Sequence, residues 1–307
     1  MAKGSLFWGS ARGKLGQVVL ATVKGQQTAR TYQATVANPK STSQTEQRAK
    51  FANAVKFYKR SQQNLYKFAY EDKKKTESDY NAFMRHNTNA AMLPNKTSYD
   101  NINYPALANR WLLSYGSMPE PIIDDTTTVP ALKLNLGSEK IDVDEVTIGQ
   151  VSTALVSKYD LAEGDIVTFT TVISSIATID AEPTEVPTWG IVQFVISTTS
   201  ETKIKAYLQA QAGGNTKKCP SIATYDNGDI NFDAPSSPAY PVTMLAVIFS
   251  RKTDSGLLVS TSYLYGNELC NTIYSASLQY AYRNAALNSW GRKEDAILQG
   301  SIASKSV

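Results

Sequence analysis

The sequence predicts an α+β protein. A small N-terminal β-hairpin plus helices is expected over residues 1–115, a linker over 116–130, and an antiparallel β-sandwich or barrel over 131–307 with a C-terminal stretch compatible with a helix. Three observations carry this expectation. Glycines punctuate short apolar, β-branched runs near the start, apolar positions then recur at helical spacing, and from about residue 131 strand-length runs alternate with turn residues. Long helices do not alternate with these strands, which argues against a doubly wound parallel sheet.

The first element covers residues 4–36. Glycines at 4, 9, 13, 16 and 25 bracket runs such as Gln17-Val18-Val19-Leu20-Ala21-Thr22-Val23, and Lys24-Gly25 between two runs suits a hairpin turn. Asn38-Pro39 stops the strand. Ser43 and Glu46 then have the spacing of a capping box, in which each side chain accepts a bond from the other residue's backbone N–H. Phe51, Val55, Tyr58, Gln62, Leu65 and Ala69 recur at three- and four-residue steps as an apolar stripe, with Arg48, Lys56, Lys59, Arg60 and Lys67 on a neighbouring arc. Phe57 and Phe68 lie outside both arcs, which implies a second packing surface or a break near Ser61.

Lys73-Lys74-Lys75 reads as a solvated turn before a second helix starting near Thr76 and holding Tyr80, Phe83 and Met84. Trp111-Leu112-Leu113 reads as core. Three prolines and an Asp/Thr cluster between Met118 and Pro130 interrupt all periodicity and mark the linker. Strands are expected at residues 132–136, 146–155, 166–173, 191–196, 203–208, 242–249 and 257–265, with turns at Glu163-Gly164-Asp165 and Asn227-Gly228.

Charge divides the chain more sharply than its net +4 suggests. To Tyr115 there are eighteen Lys and Arg against six Asp and Glu, and beyond it thirteen against twenty-one. Such polarity points to a polyanion, or an acidic neighbour, as partner of the basic end. The residues singled out for this contact are Arg12, Lys14, Lys24, Arg30, Lys40, Arg48, Lys56, Lys59 and Arg60. Phosphate contact through these side chains would be insensitive to sequence, since no helix-turn-helix, zinc finger or RNA-binding signature accompanies them. Docking onto the acidic half of another copy is the equal alternative.

Seventeen tyrosines suit interfaces, because each offers a large ring with a polar tip. The two cysteines, Cys219 and Cys270, lack nearby metal-ligand partners, so no zinc site is expected and two buried thiols are favoured over a disulfide. No apolar stretch of signal-peptide length precedes Arg12, and the longest apolar run, residues 243–249, is far short of a membrane span. A cytoplasm-like compartment and no membrane association are expected.

No catalytic constellation emerges, and neither a cofactor nor a metal is expected. His86 is the one histidine, and no nucleophile elbow accompanies it. Gly9-Ser10-Ala11-Arg12-Gly13-Lys14-Leu15 has too few residues between its glycines for a phosphate loop and lacks a Ser or Thr after the lysine. Three acidic clusters remain: Asp142, Asp144 and Glu145; Asp160, Glu163 and Asp165; and Asp226, Asp229 and Asp233. The last does not fit an EF-hand, whose glycine follows three ligand positions, and a two-residue Asn-Gly hairpin turn explains it better. A carbohydrate-binding or adhesive β domain would need exposed aromatics beside acids, with Trp189 and Tyr225 the candidates.

Gly13-Lys14-Leu15-Gly16-Gln17-Val18-Val19, Lys24-Gly25, Arg30, Asn38-Pro39-Lys40-Ser41 and Gln44-Thr45-Glu46-Gln47-Arg48-Ala49-Lys50-Phe51 together resemble the opening of an uncharacterised protein family of Bacteroidetes genomes and gut phages, crAss-like phages included. Several phage virion proteins show a similar signature after a basic hairpin. The resemblance covers about the first sixty residues, extends weakly through Tyr80-Asn81-Ala82-Phe83 and Asn87, and departs from the pattern at Ser41, where the family has Thr. It implies a bacteriophage structural protein of the capsid, portal ring or tail, assembled in the host cytoplasm. Its partners would be other virion subunits, in a homo-oligomer, with packaged double-stranded DNA as a secondary contact. The resemblance carries no catalytic residue. A nonspecific nucleic-acid-binding protein is the alternative from another class.

Overall fold

The computed structural model describes residues 2–3, 12–23, 26–34, 42–62, 69–88, 110–125, 128–137, 142–174, 187–238, 240, 242–254 and 256–267. The chain forms two compact units, Met1–Ser41 and Thr42–Val307. The first is a four-stranded antiparallel sheet of β1 (Ala2–Lys3), β2 (Gly13–Leu15), β3 (Val18–Val23) and β4 (Gln26–Thr31), in the order β1-β4-β3-β2. Leu15 faces Val18 across a two-residue turn in which Gly16 takes φ +58, a conformation glycine adopts without a Cβ clash. Val23 faces Gln26, so β3 and β4 form the expected hairpin around positions 24 and 25.

The second unit has three layers. Its centre is a seven-stranded sheet with the path β10-β9-β13-β15-β6-β5 and β14 paired to β13. These strands are β5 (Ala69–Tyr70), β6 (Trp111–Tyr115), β9 (Ile166–Ser174), β10 (Thr188–Val195), β13 (Val242–Thr253), β14 (Gly256–Val259) and β15 (Ser262–Gly266). All neighbours are antiparallel except β5 and β6. Along β13, Val242, Met244 and Ala246 enter one core while Leu245, Val247 and Phe249 enter another. A strand covered on both faces needs an unbroken apolar run, and residues 244–249 supply it.

On one face lie α1 (Thr42–Gln62) and α2 (Asp79–Asn87). Phe57 stacks on Trp111 at 4.1 Å between ring centroids and meets Trp189 edge-on at 5.4 Å. Ser78 caps α2 by accepting from Asn81 N. Buried Asn87 then ties the helix to the sheet: its Nδ2 donates to Phe83 O and Leu112 O at 3.1 Å each, and its Oδ1 accepts from Leu112 N at 2.8 Å.

On the other face sits a four-stranded antiparallel sheet, β11-β12-β8-β7, formed by β7 (Ile123–Asp124), β8 (Ala131–Asn135), β11 (Ser221–Thr224) and β12 (Asp229–Asp233). Leu132, Leu134, Ile230 and Phe232 point inward with α3 (Ile148–Tyr159) and α4 (Ile204–Gln211). Phe232 stacks on Phe169 of the central sheet at 5.0 Å. The outer face of the small sheet is therefore left to polar residues.

The α+β class and the antiparallel β architecture are as expected. The boundaries differ. The contacts divide the chain at Ser41, because α1, α2 and β6 share a core with Val172, Trp189, Val242 and Leu264. The expected linker over 116–130 contributes β7, and Met118, Pro121, Ile123 and Pro130 are buried; its prolines terminate strands within a packed layer. Two expected strands are helices, α3 and α4, for reasons taken up in the Discussion. Helix α1 starts at Thr42, ahead of the expected cap, and the side chains of Ser43 and Glu46 lie outside the described residues. Its buried positions are Asn53, Ala54, Phe57, Tyr58 and Ser61, whereas Phe51 of the expected stripe is 47% exposed. Phe57, which fitted neither arc, is the centre of the packing face. Residues 63–68, Cys270 and the C-terminal stretch compatible with a helix lie outside the described residues.

Candidate functional site

In the N-terminal sheet, cross-strand register fixes which side chains share a face. Lys14 faces Val19, which faces Arg30, so the two cations stand on one face, two strand spacings or roughly 10 Å apart. Both are exposed, as is Arg12, and Lys14 Nζ lies 3.5 Å from the centroid of the Tyr32 ring. The opposite face carries Leu15, Val18, Leu20 and Ala29. Leu15 is 73% exposed and Val18 40%. Where side-chain burial is described in this unit, no residue is fully buried, and Val19, Leu20 and Ala29 are half-buried. On α1, Arg48 and Lys59 are exposed and Lys56 and Arg60 half-buried, all on one side of the helix. The nine basic positions thus fall into two sets in separate units, and Lys24 and Lys40 lie outside the described residues.

Two of the three acidic clusters are structural. Asp144 pairs with Lys205 at 2.7 Å and Glu145 with Lys203 at 2.6 Å, both at the start of α4. Asp160 caps α3 in the left-handed conformation, Glu163 accepts from Thr198 N at 3.1 Å, and buried Asp165 holds Arg251 through two bonds of 2.7 Å. The third cluster differs. Asp229, Asn231 and Asp233 alternate on the outer face of β12, beside Lys133 of β8, and form the floor of a cleft of about 630 Å³.

Thr128, Val129, Tyr225, Asp226 and Asn227 complete the cleft lining. Tyr225 stands at its edge, 49% exposed, with its hydroxyl accepting from Asn231 Nδ2 at 3.3 Å. The β11–β12 connection that places it is a three-residue loop, not the expected two-residue turn. Tyr225 N donates to Asp229 O at 2.9 Å, Gly228 N to Tyr225 O at 3.1 Å, and Gly228 takes φ +79. Asp229 is fixed by Asn135 Nδ2 at 2.6 Å and Asn227 Nδ2 at 2.5 Å, and Lys133 by Asp124 at 2.5 Å. Burial pushes the Asp233 carboxyl above the usual range, a shift the Lys133 ammonium partly opposes. Among the described residues no group of three or more His, Cys, Asp or Glu could hold a metal ion.

His86 is held between Tyr70 and Tyr115, each 5.1 Å away and near parallel, with Nε2 3.1 Å from Asp72 Oδ1. Asp72 also accepts from Arg85 at 2.6 Å, and Arg85 pairs with Glu77. The arrangement anchors α2 beside β5 and β6. Trp189 is 5% exposed and packs on Phe57, which removes it as a surface aromatic and leaves Tyr225. Cys219 is buried, which raises its thiol pKa.

Residues 9–138 match a family of unknown function, DUF6266. The match covers somewhat under half of the chain. It takes in most of the N-terminal sheet, α1, α2 and strands β5–β8, and so crosses from the first unit into all three layers of the second. No curated protein and no solved structure matches the chain. The β11–β12 half of the cleft lies outside the DUF6266 match, while Lys133 lies inside it. No helix among the described residues is long and apolar enough to cross a membrane.

Proposed function

We propose that this chain is a non-enzymatic structural protein of a bacteriophage particle, in the capsid, portal ring or tail, that self-associates through its N-terminal unit. The N-terminal sheet carries the reading: four strands with exposed Leu15 and Val18 on one face, exposed cations on the other, and no fully buried residue where side-chain burial is described. A sheet of this kind gains little from its own packing and is completed by burial against a second surface. Neighbouring subunits supply that surface in a symmetric assembly. The sequence resemblance to gut-phage proteins supports the particle context. Residues with ordinary catalytic potential, His86 and Asp165 among them, are engaged in structural contacts.

On this reading the Lys14 and Arg30 face meets packaged double-stranded DNA as a secondary contact. Native mass spectrometry of the purified chain, together with protein composition of particles from a host carrying the gene, tests the proposal. The expected result is a closed oligomer and a fixed copy number per particle. A monomer that is absent from particles overturns it. Duplex DNA affinity should fall steeply with salt if the basic face contacts phosphates, and a flat salt response removes that contact.

A further inference from the structure

We propose that the cleft on the outer face of β8, β12 and β11 binds a neutral carbohydrate, and this site stands independently of how the N-terminal unit assembles. The volume, about 630 Å³, lies within the range of small-molecule sites. Its wall and floor have complementary chemistry. Tyr225 presents a half-exposed ring whose hydroxyl is held by Asn231, so one face is available to the C–H side of a pyranose without a large loss of rotamer freedom.

Beneath it, Asp229, Asn231 and Asp233 repeat every second residue along β12, which places successive polar groups roughly 7 Å apart. That ladder offers carboxylate acceptors and an amide, and Lys133 and Thr128 add donors beside it. Asp233 is the sharpest element. Its carboxylate is partly buried, has no hydrogen-bond donor among the described residues beyond the electrostatic influence of Lys133, and lines the cleft, where ligand hydroxyls can supply donors.

Charge narrows the ligand class. Three carboxylates, Asp226, Asp229 and Asp233, line the cleft against one ammonium, Lys133, which is already paired with Asp124. Phosphates, nucleic acids and acidic sugars are repelled by this balance, whereas neutral sugar hydroxyls are not. A basic peptide would also suit the charge. The concave shape with an aromatic wall favours the sugar.

The test uses the full chain on an array of neutral oligosaccharides built from glucose, galactose, mannose and N-acetylglucosamine, with an oligolysine peptide and a duplex oligonucleotide as further probes. Binding to at least one neutral oligosaccharide is expected. Tyr225→Ala should weaken it about tenfold or more and Tyr225→Phe by no more than about threefold, with unfolding midpoints unchanged for both. Asp233→Asn should also weaken it. The proposal is overturned if no neutral oligosaccharide binds, if Tyr225→Ala binds as well as the parent, or if only the oligolysine peptide binds, which would assign the cleft to a basic protein segment. Oligomeric state, read in parallel on the same variants, separates failure of this site from failure of the assembly reading.

Discussion

The N-terminal sheet and the central sheet are built from the same kind of strand and reach opposite ends of the burial scale. In the central sheet β13 sends Met244 into one core and Leu245 into another, and both are fully buried. In the N-terminal sheet β3 is also a run of apolar and β-branched residues, yet Val18 remains 40% exposed. Sequence pattern therefore makes a strand. What lies above and below the strand decides whether it is a core element or an interaction surface.

Mutation should separate the two sheets by a wide margin. Phe249→Ala or Trp111→Ala, each emptying a fully buried site, should cost about 3–5 kcal/mol in chemical denaturation. Leu15→Ala should stay within about 0.5 kcal/mol by the same measurement on the dissociated chain, where Leu15 is 73% exposed. Equal costs would erase the distinction. Asn87→Ala should rank next, at about 2 kcal/mol, because it leaves buried Leu112 N without its partner, while Leu112 O keeps the Tyr70 hydroxyl as donor.

The smallest effects depend on pH and have opposite signs. Arg85, with a further contribution from His86, holds the Asp72 carboxyl below its usual range. Its stabilisation is therefore complete above the ordinary value of 3.8 and is lost as pH falls through the lower folded value. Asp72→Asn should destabilise at neutral pH by less than about 1 kcal/mol and have no effect in strong acid. Asp233 is raised by burial, so its contribution is present below 3.8 and lost as pH rises through the higher folded value. Asp233→Asn should then stabilise slightly at neutral pH. Stability curves from pH 2 to 8 for the two variants check both signs.

Strand-forming runs, the hairpin around positions 24 and 25, the core role of Trp111 and the polar outer face of β12 were legible in the sequence, since each depends on local pattern. Helices α3 and α4 look like strands by residue type, because β-branched residues such as Val151 and Ile204 weigh toward strand. The helical signs were nevertheless present: Thr147 and Gln150 form a capping box, and Ile148, Val151, Leu155 and Tyr159 are buried at three- and four-residue steps. The cleft was half legible. Asp226, Asp229 and Asp233 stood out as a cluster, but Lys133 joins them only through the pairing of Lys133 with Asn231, a contact nearly one hundred residues apart that no local pattern encodes.

The claim that the N-terminal sheet is an assembly surface is tested most directly by native mass spectrometry of the full chain beside a Leu15→Asp, Val18→Asp double variant. The account predicts a closed oligomer for the parent, and for the variant a monomer with unchanged unfolding of the second unit. A parent chain that is monomeric at high protein concentration, or a variant that assembles as the parent does, would contradict it.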